Sequence, residues 1–144
     1  MRSFLTIHLS KWPTAIIKHL KSWGGIRELI RQYSKEKIGI HEKKIVLAVG
    51  QYIYRKGFDI LLKASEMLDS DIGIYIIGGE PTKEYLQIIE NYGLHNVHFA
   101  GFMNKKELSD YYKAADLFVL PTREDVWGLV INEALAYGLP IITT

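Results

Sequence analysis

The 144-residue sequence predicts an α/β fold built on a mostly parallel, doubly wound sheet. Three observations point there. Short continuous apolar runs recur along the chain, the form taken by strands buried on both faces. Segments of helical periodicity stand between them, so strand and helix alternate as βαβ units. Glycines follow the first two runs directly, at Gly50 and Gly78-Gly79, where such sheets turn from strand to helix and place their ligands. The fold class is therefore Rossmann-like, five strands alternating with four helices, and the strand order expected is 3-2-1-4-5.

The elements follow in order. Pro13 opens a helix through Leu20 that Gly24-Gly25 breaks, and Ile26 to Lys37 reads as a second helix with Ile26, Leu29, Ile30 and Tyr33 on one face. Ile45 to Val49 is the first buried strand, ended by Gly50, and Phe58 to Leu68 the helix after it. Ile72 to Ile77 is the second strand. Lys83 to Tyr92 is a helix with Tyr85, Leu86, Ile89 and Tyr92 inward, stopped by Gly93. Asn96 to Ala100 is the third strand, and Asn104 caps a helix with Glu107 at the capping-box position. Asp116 to Leu120 and Ile141 to Thr143 are the last two strands, with a helix after Gly128 between them.

Composition narrows the function classes. An apolar content of 48% and a charged content of 24% suit a soluble globular domain, and this length is one domain. With no cysteine, disulfides and thiolate metal sites are excluded. No apolar run approaches the roughly 18–20 residues that span a bilayer, and no secretory signal pattern opens the chain, so a cytoplasmic location is expected. Charge is uneven: residues 1–40 carry eight basic side chains against Glu28 and Glu36, while the remainder holds 10 basic and 14 acidic. That basic front, with Trp12, Trp23, Ile16, Ile17 and Leu20, reads as a solvated helix and linker or as a peripheral contact with an anionic membrane at its inner face. No nucleic-acid motif is present, and no nucleic acid is expected as a partner. The histidines His8, His19, His41, His95 and His98 form no ligand pattern, and no metal site is expected.

The chemistry concentrates in Pro121 to Pro140, PTREDVWGLVINEALAYGLP. A loop with Arg123, Glu124, Asp125 and Trp127 leads to Gly128 and Leu129 at a helix entrance, where backbone N–H groups and the helix dipole favour an anion. Glu133 lies five residues further, about 7.5 Å along the axis. A phosphate at the entrance would thus have Asp125 beside it and Glu133 about one turn deeper, both able to accept hydrogen bonds from sugar hydroxyls. By spacing alone the stretch reads equally as solvated acids ahead of an ordinary amphipathic helix. A second cluster lies after the first strand, where Gln51, Arg55 and Lys56 precede Gly57. It is either a diphosphate grip or a set of exposed turn residues. The glycine spacing there is not G-x-G-x-x-G, which disfavours a nicotinamide-dinucleotide oxidoreductase. Asp69 and Asp71 mimic a metal-binding D-x-D but fall on a helix-to-strand connection, at the wrong edge of the sheet.

From Lys44 to the end the sequence resembles the group 1 (family four) retaining glycosyltransferases. The resemblance rests on Glu133-Ala134, Gly138 and Pro140 of the E-A-x-x-x-G-x-P ending, on Lys56-Gly57, and on Asp125, which stands eight residues before Glu133 where the family has its first glutamate. It implies the C-terminal, nucleotide-sugar-binding lobe of the two-lobed GT-B fold. On this reading residues 44–144 form the donor-binding domain, shortened at its C-terminus, and residues 1–43 a basic N-terminal segment with helices. The acceptor, a sugar or a lipid-linked sugar, would bind a missing N-terminal lobe. The resemblance implies transfer of a sugar to a hydroxyl acceptor in polysaccharide or glycolipid assembly, retaining and metal-independent, with the nucleotide sugar as substrate and no cofactor. Residue by residue, it implies Lys56 on the diphosphate, with Gln51 at the place of the family's arginine and that charge either supplied by Arg55 or absent. Gly50 and Gly78 would line the phosphates, and Phe102 and Met103 the base. Glu133 would hold the ribose, and Asp125 with Glu124 the donor sugar. An alternative is a lobe that binds nucleotide and transfers nothing.

Overall fold

A computed structural model of the chain describes residues 23–124 and 128–144. The expected helix from Pro13 to Leu20, and the site residues Asp125 and Trp127, lie outside them. A five-stranded, wholly parallel sheet forms the middle layer, in the order β3-β2-β1-β4-β5, as expected. Its strands are β1 (Lys44–Val49), β2 (Ile72–Ile77), β3 (Val97–Ala100), β4 (Leu117–Leu120) and β5 (Ile141–Thr143). The helices are α1 (Trp23–Ile38), α2 (Phe58–Ser65), α3 (Lys83–Tyr92), α4 (Lys105–Ala114) and α5 (Leu129–Ala136), with a 3-10 turn at Tyr54–Lys56.

Alternation along the strands divides the core. Ile45 and Leu47 of β1, Tyr75 and Ile77 of β2, and Phe118 and Leu120 of β4 pack with Tyr112, Ala134 and Leu139 under α1, α4 and α5. Val46, Ala48, Ile74 and Ile76 point the other way, onto Phe58, Leu61, Leu62 and Tyr85 of α2 and α3. Helices on both faces are why the strands are apolar throughout. The chain winds from β1 outward to β3, then returns to lay β4 on the other side of β1. The order therefore reverses between β1 and β4, the switch point where α/β sheets leave a crevice at their C-terminal edge.

Three local expectations change. α1 (Trp23–Ile38) includes Gly24 and Gly25, ahead of Ile26 where the second helix is expected to begin. Its expected apolar face is not the best-buried one: Leu29, Ile30 and Tyr33 are exposed, Ser34 and Lys35 are buried, Ile26 is half-buried and Ile38 packs against the core. The reason is electrostatic. Asp116, just before β4, receives Arg31 at 2.8 Å, Lys35 at 3.7 Å and Lys44 at 3.3 Å, and its other oxygen accepts the Ile45 N–H. Lys35 also donates to the carbonyl of Lys43 at 2.7 Å. A half-buried carboxylate below the helix holds the cations of its inner face. On α3, Leu86 and Tyr92 are likewise exposed, and Ile88 joins Tyr85 and Ile89 on the packed face. α2 ends at Ser65, three residues early, in a turn closed by Met67 and Leu68 amides. No helix among the described residues is long and apolar enough to cross a membrane.

Candidate functional site

The turns after β1 and β2 meet at the C-terminal edge. Gly78 has φ +150°, and a Cβ there would stand 1.9 Å from the Gly50 carbonyl oxygen, so only glycine allows the two turns to touch. The aliphatic part of Lys56 lies over Gly50, its Cδ and Cε within 3.6 Å of where a Cβ would be. Phe102, 81% exposed, stands with its ring edge against Gly79. Gly50, Lys56, Gly78 and Phe102 thus form one continuous patch. Met103, named with Phe102 from the sequence, is half-buried instead and packs against the core cluster under α4 and α5. Gln51 is exposed and its carbonyl accepts the Ile53 N–H, closing the start of the loop.

That loop is held from below by Tyr52. Its hydroxyl donates to the Ile76 carbonyl at 2.5 Å and reaches the Ala100 carbonyl at 3.1 Å, bridging the ends of β2 and β3. Its ring meets Phe58, Tyr85 and Phe99 edge-on. Burial pushes its hydroxyl pKa well up, which keeps it a proton donor.

The loop after β4 is joined to the loop after β1. The Arg55 carbonyl accepts the Arg123 N–H at 2.7 Å and the Thr122 hydroxyl at 3.0 Å. The same hydroxyl lies 2.9 Å from the Glu124 carbonyl. Gly57, at φ +66°, lies so close that a Cβ would fall 1.8 Å from the Pro121 carbonyl oxygen. Arg123 forms a two-pronged pair with Asp59, both bonds 2.8 Å, and also donates to the Tyr54 carbonyl. Its guanidinium stands 4.1 Å from the centre of the Tyr54 ring, and its hydrogen bond holds the Asp59 carboxyl below the ordinary range. Glu124 and Arg55 are exposed on this joined pair of loops.

Glu133 stands apart from that patch. It accepts the Tyr112 hydroxyl at 3.1 Å, in a cavity of about 130 Å³ that Lys105, Leu108, Ser109 and Tyr137 complete between α4 and α5. Tyr137 stacks on Tyr112 at 5.0 Å, and burial, with the Glu133 charge adding to it, raises the Tyr112 pKa. Gly128 caps α5 at half-burial, and Leu129 beside it is 64% exposed. Among the described residues no group of three His, Asp or Glu side chains converges as a metal site. Larger cavities lie elsewhere, one of about 310 Å³ between α1, α4 and α5 and one of about 220 Å³ at the N-terminal edge of the sheet. Neither gathers the glycine turns or the cations, so cavity size does not locate the site here.

The group 1 glycosyl transferase family profile matches residues 30–144. The chain belongs to that family. Mannosylfructose-phosphate synthase of Agrobacterium fabrum is 33% identical over 83% of this chain and 29% of its own length. Lipopolysaccharide glucosyltransferase WaaG of Escherichia coli is 32% identical over 79% of this chain and 32% of its own. A crystal structure of WaaG, described as a glycosyltransferase involved in lipopolysaccharide biosynthesis, superposes with a TM-score of 0.70 at 29% identity over 79% of this chain and 32% of that one. The C-terminal domain of a group 1 glycosyl transferase, LpcC of Francisella tularensis, matches with a TM-score of 0.70 at 26% identity, over 78% of this chain and 64% of that one. The group 1 chain described here therefore has the fold of the C-terminal GT-B lobe, as the resemblance implied. It spans about a third of the length of the curated relatives it matches.

Several residues of this neighbourhood carry no sequence signal of their own. Tyr112, Asp59 and Thr122 stand in no motif, and Arg123 reads in the sequence only as one charge in an acidic loop. Asp59 is 64 positions from Arg123 and Tyr112 is 21 from Glu133, so each pairing exists only once the chain is folded.

Proposed function

We propose that this chain is the nucleotide-sugar-binding lobe of a retaining, metal-independent glycosyltransferase that passes a sugar to a hydroxyl acceptor in polysaccharide or glycolipid assembly. Residues 44–144 are the donor-binding domain, working in the cytoplasm or at the inner face of a membrane. A second lobe holds the acceptor, and the nucleotide sugar is a substrate rather than a cofactor. The observation that carries the proposal is Lys56 laid over Gly50 beside Gly78, at the switch point of a sheet that belongs to the group 1 family. A membrane role for the basic front draws little support from α1, whose Arg31, Lys35 and Lys37 are paired with Glu28, Asp116 and Asp110.

In the reaction the bond between the sugar's anomeric carbon and the diphosphate breaks while a hydroxyl oxygen of the acceptor bonds to that carbon and releases its proton. The leaving nucleoside diphosphate takes the electron pair. Lys56 meets the charge that develops on it, with Arg55 and the α5 entrance at Gly128 and Leu129 adding to the field. Gly50, Gln51 and Gly78 let the phosphates approach the backbone. Phe102 offers a face for the base, with Met103 behind it. Glu133 accepts from the ribose, and Asp125 with Glu124 from the donor sugar; Trp127 is a further donor-binding residue on this reading.

Calorimetric titration with UDP-, GDP- and ADP-sugars and with NAD tests this. One nucleotide-sugar series should bind and NAD should not. Lys56→Ala should weaken the nucleoside diphosphate by about tenfold or more, the worth of a charged hydrogen bond, and spare the nucleoside. Equal losses for the two ligands remove Lys56 from the site, and preferential NAD binding overturns the proposal.

A further inference from the structure

We infer that Arg123 is a positioning residue: with Asp59 it latches the Glu124 loop onto the Lys56 loop, fixing the sugar-facing acid relative to the diphosphate-facing cation. This rests on the donor-site proposal above. Three cations lie on these loops, Arg55, Lys56 and Arg123, and the first two sit where a diphosphate would be met. Arg123 is spent otherwise. Both arms of its fork close on Asp59 at 2.8 Å, one arm also reaches the Tyr54 carbonyl at 2.8 Å, and its face covers the Tyr54 ring. It is thus committed to the partner loop from three directions.

Position gives the latch its consequence. Arg123 immediately precedes Glu124, and its own N–H is fixed to the Arg55 carbonyl, the residue next to Lys56. Tyr54 precedes Arg55 on the other loop, and Asp59 follows Lys56 in the first turn of α2. A shift of either loop along the other must therefore break the Arg123–Asp59 fork as well as the bonds to the Arg55 carbonyl. Only a planar guanidinium can hold both carboxylate oxygens and a carbonyl while lying on an aromatic ring; an ammonium makes a single point contact. A nucleoside diphosphate lacks the sugar that Glu124 would meet and should be nearly indifferent to the register between the two loops. A nucleotide sugar spans both and should depend on it.

The test is calorimetry on the full chain with UDP and UDP-glucose, and with GDP and GDP-mannose, using whichever pair the unaltered protein binds. Arg123→Lys and Asp59→Asn should each leave nucleoside diphosphate affinity within about twofold and weaken the nucleotide sugar about tenfold. Tyr54→Leu removes only the ring beneath the guanidinium at an exposed position, so it folds even if the latch variants do not. It should shift the same ratio in the same direction by a smaller factor. A loss that falls equally on both ligands, or a lowered melting temperature with an unchanged ratio, overturns the positioning role and leaves the donor site standing. If the unaltered protein binds none of these nucleotides, or Lys56→Ala changes nothing, the donor-site proposal fails and the latch falls with it.

Discussion

The Arg31 guanidinium stands 2.8 Å from the Asp116 carboxylate, and this pair, with Lys35, ties α1 to the start of β4 while Leu29 and Tyr33 stay exposed. Removing the acid should leave Lys35, 4% exposed, without its anion. Asp116→Asn is expected to cost about 3 kcal/mol, the usual penalty for breaking a buried pair on one side. Leu29→Ser, on the solvent face, should stay within about 0.5 kcal/mol. Urea midpoints measure both, and the reverse order would mean that α1 docks by its apolar stripe.

The contact between Gly78 and the Gly50 carbonyl leaves no room for a side chain. Gly78→Ala must strain the positive-φ backbone and part the two turns, a loss of at least about 2 kcal/mol. It should also reduce nucleotide binding in whatever fraction remains folded. Gly101→Ala is the control, since nothing lies within 4 Å of a Cβ there. Thermal melts of the two variants should differ clearly.

Tyr112 and Glu133 act together, if the ribose is bound as proposed. Tyr112→Phe removes the hydroxyl that orients the carboxylate. A hydrogen bond of roughly 1 kcal/mol corresponds to about fivefold in affinity for a nucleoside diphosphate. Glu133→Gln should weaken the nucleoside diphosphate and the nucleotide sugar by similar factors, because both carry the ribose. An effect of Tyr112→Phe confined to stability would detach Glu133 from the ligand.

Acid stability should depend on Glu42. Partial burial works against its charge, but hydrogen bonds from its own backbone N–H, from Tyr75 and from His98 outweigh it and lower the carboxyl pKa. A group with a depressed folded pKa contributes stability that is present above its unfolded value, about 4.3, and lost as the pH falls through the lower folded value. Glu42→Gln should therefore flatten the fall in stability below about pH 4. Denaturant midpoints at pH 3 and pH 6 should lie closer together in that variant than in the unaltered protein.

The strands were legible because continuous apolar runs admit few structures, whereas right-handed crossovers alone do not choose among the doubly wound orders, so the order is confirmed only in the fold. Ile45 to Val49 and Ile72 to Ile77 need no partner to be recognised as buried. What periodicity could not supply was orientation. The stripe of Leu29, Ile30 and Tyr33 is real, yet Asp116, far along the chain, decides which way the helix turns. The same applies to the site. Lys56 and Gly57 stand adjacent and can be read locally, whereas the Arg123–Asp59 fork and the Tyr112–Glu133 bond join residues whose proximity is a product of the fold.

The pairing of β1 with β4, Val46 opposite Leu117 and Leu47 opposite Phe118, has a consequence in time as well as space. β1, β2 and β3 come together by successive crossovers of one unit each, but β4 reaches β1 only after roughly 70 intervening residues have been ordered or looped out. The crevice at their junction is not inherited from any local hairpin or helix. The loop-closure entropy of this pairing makes it one of the slower ones expected in refolding, and a site at the junction would form no sooner than the pairing itself.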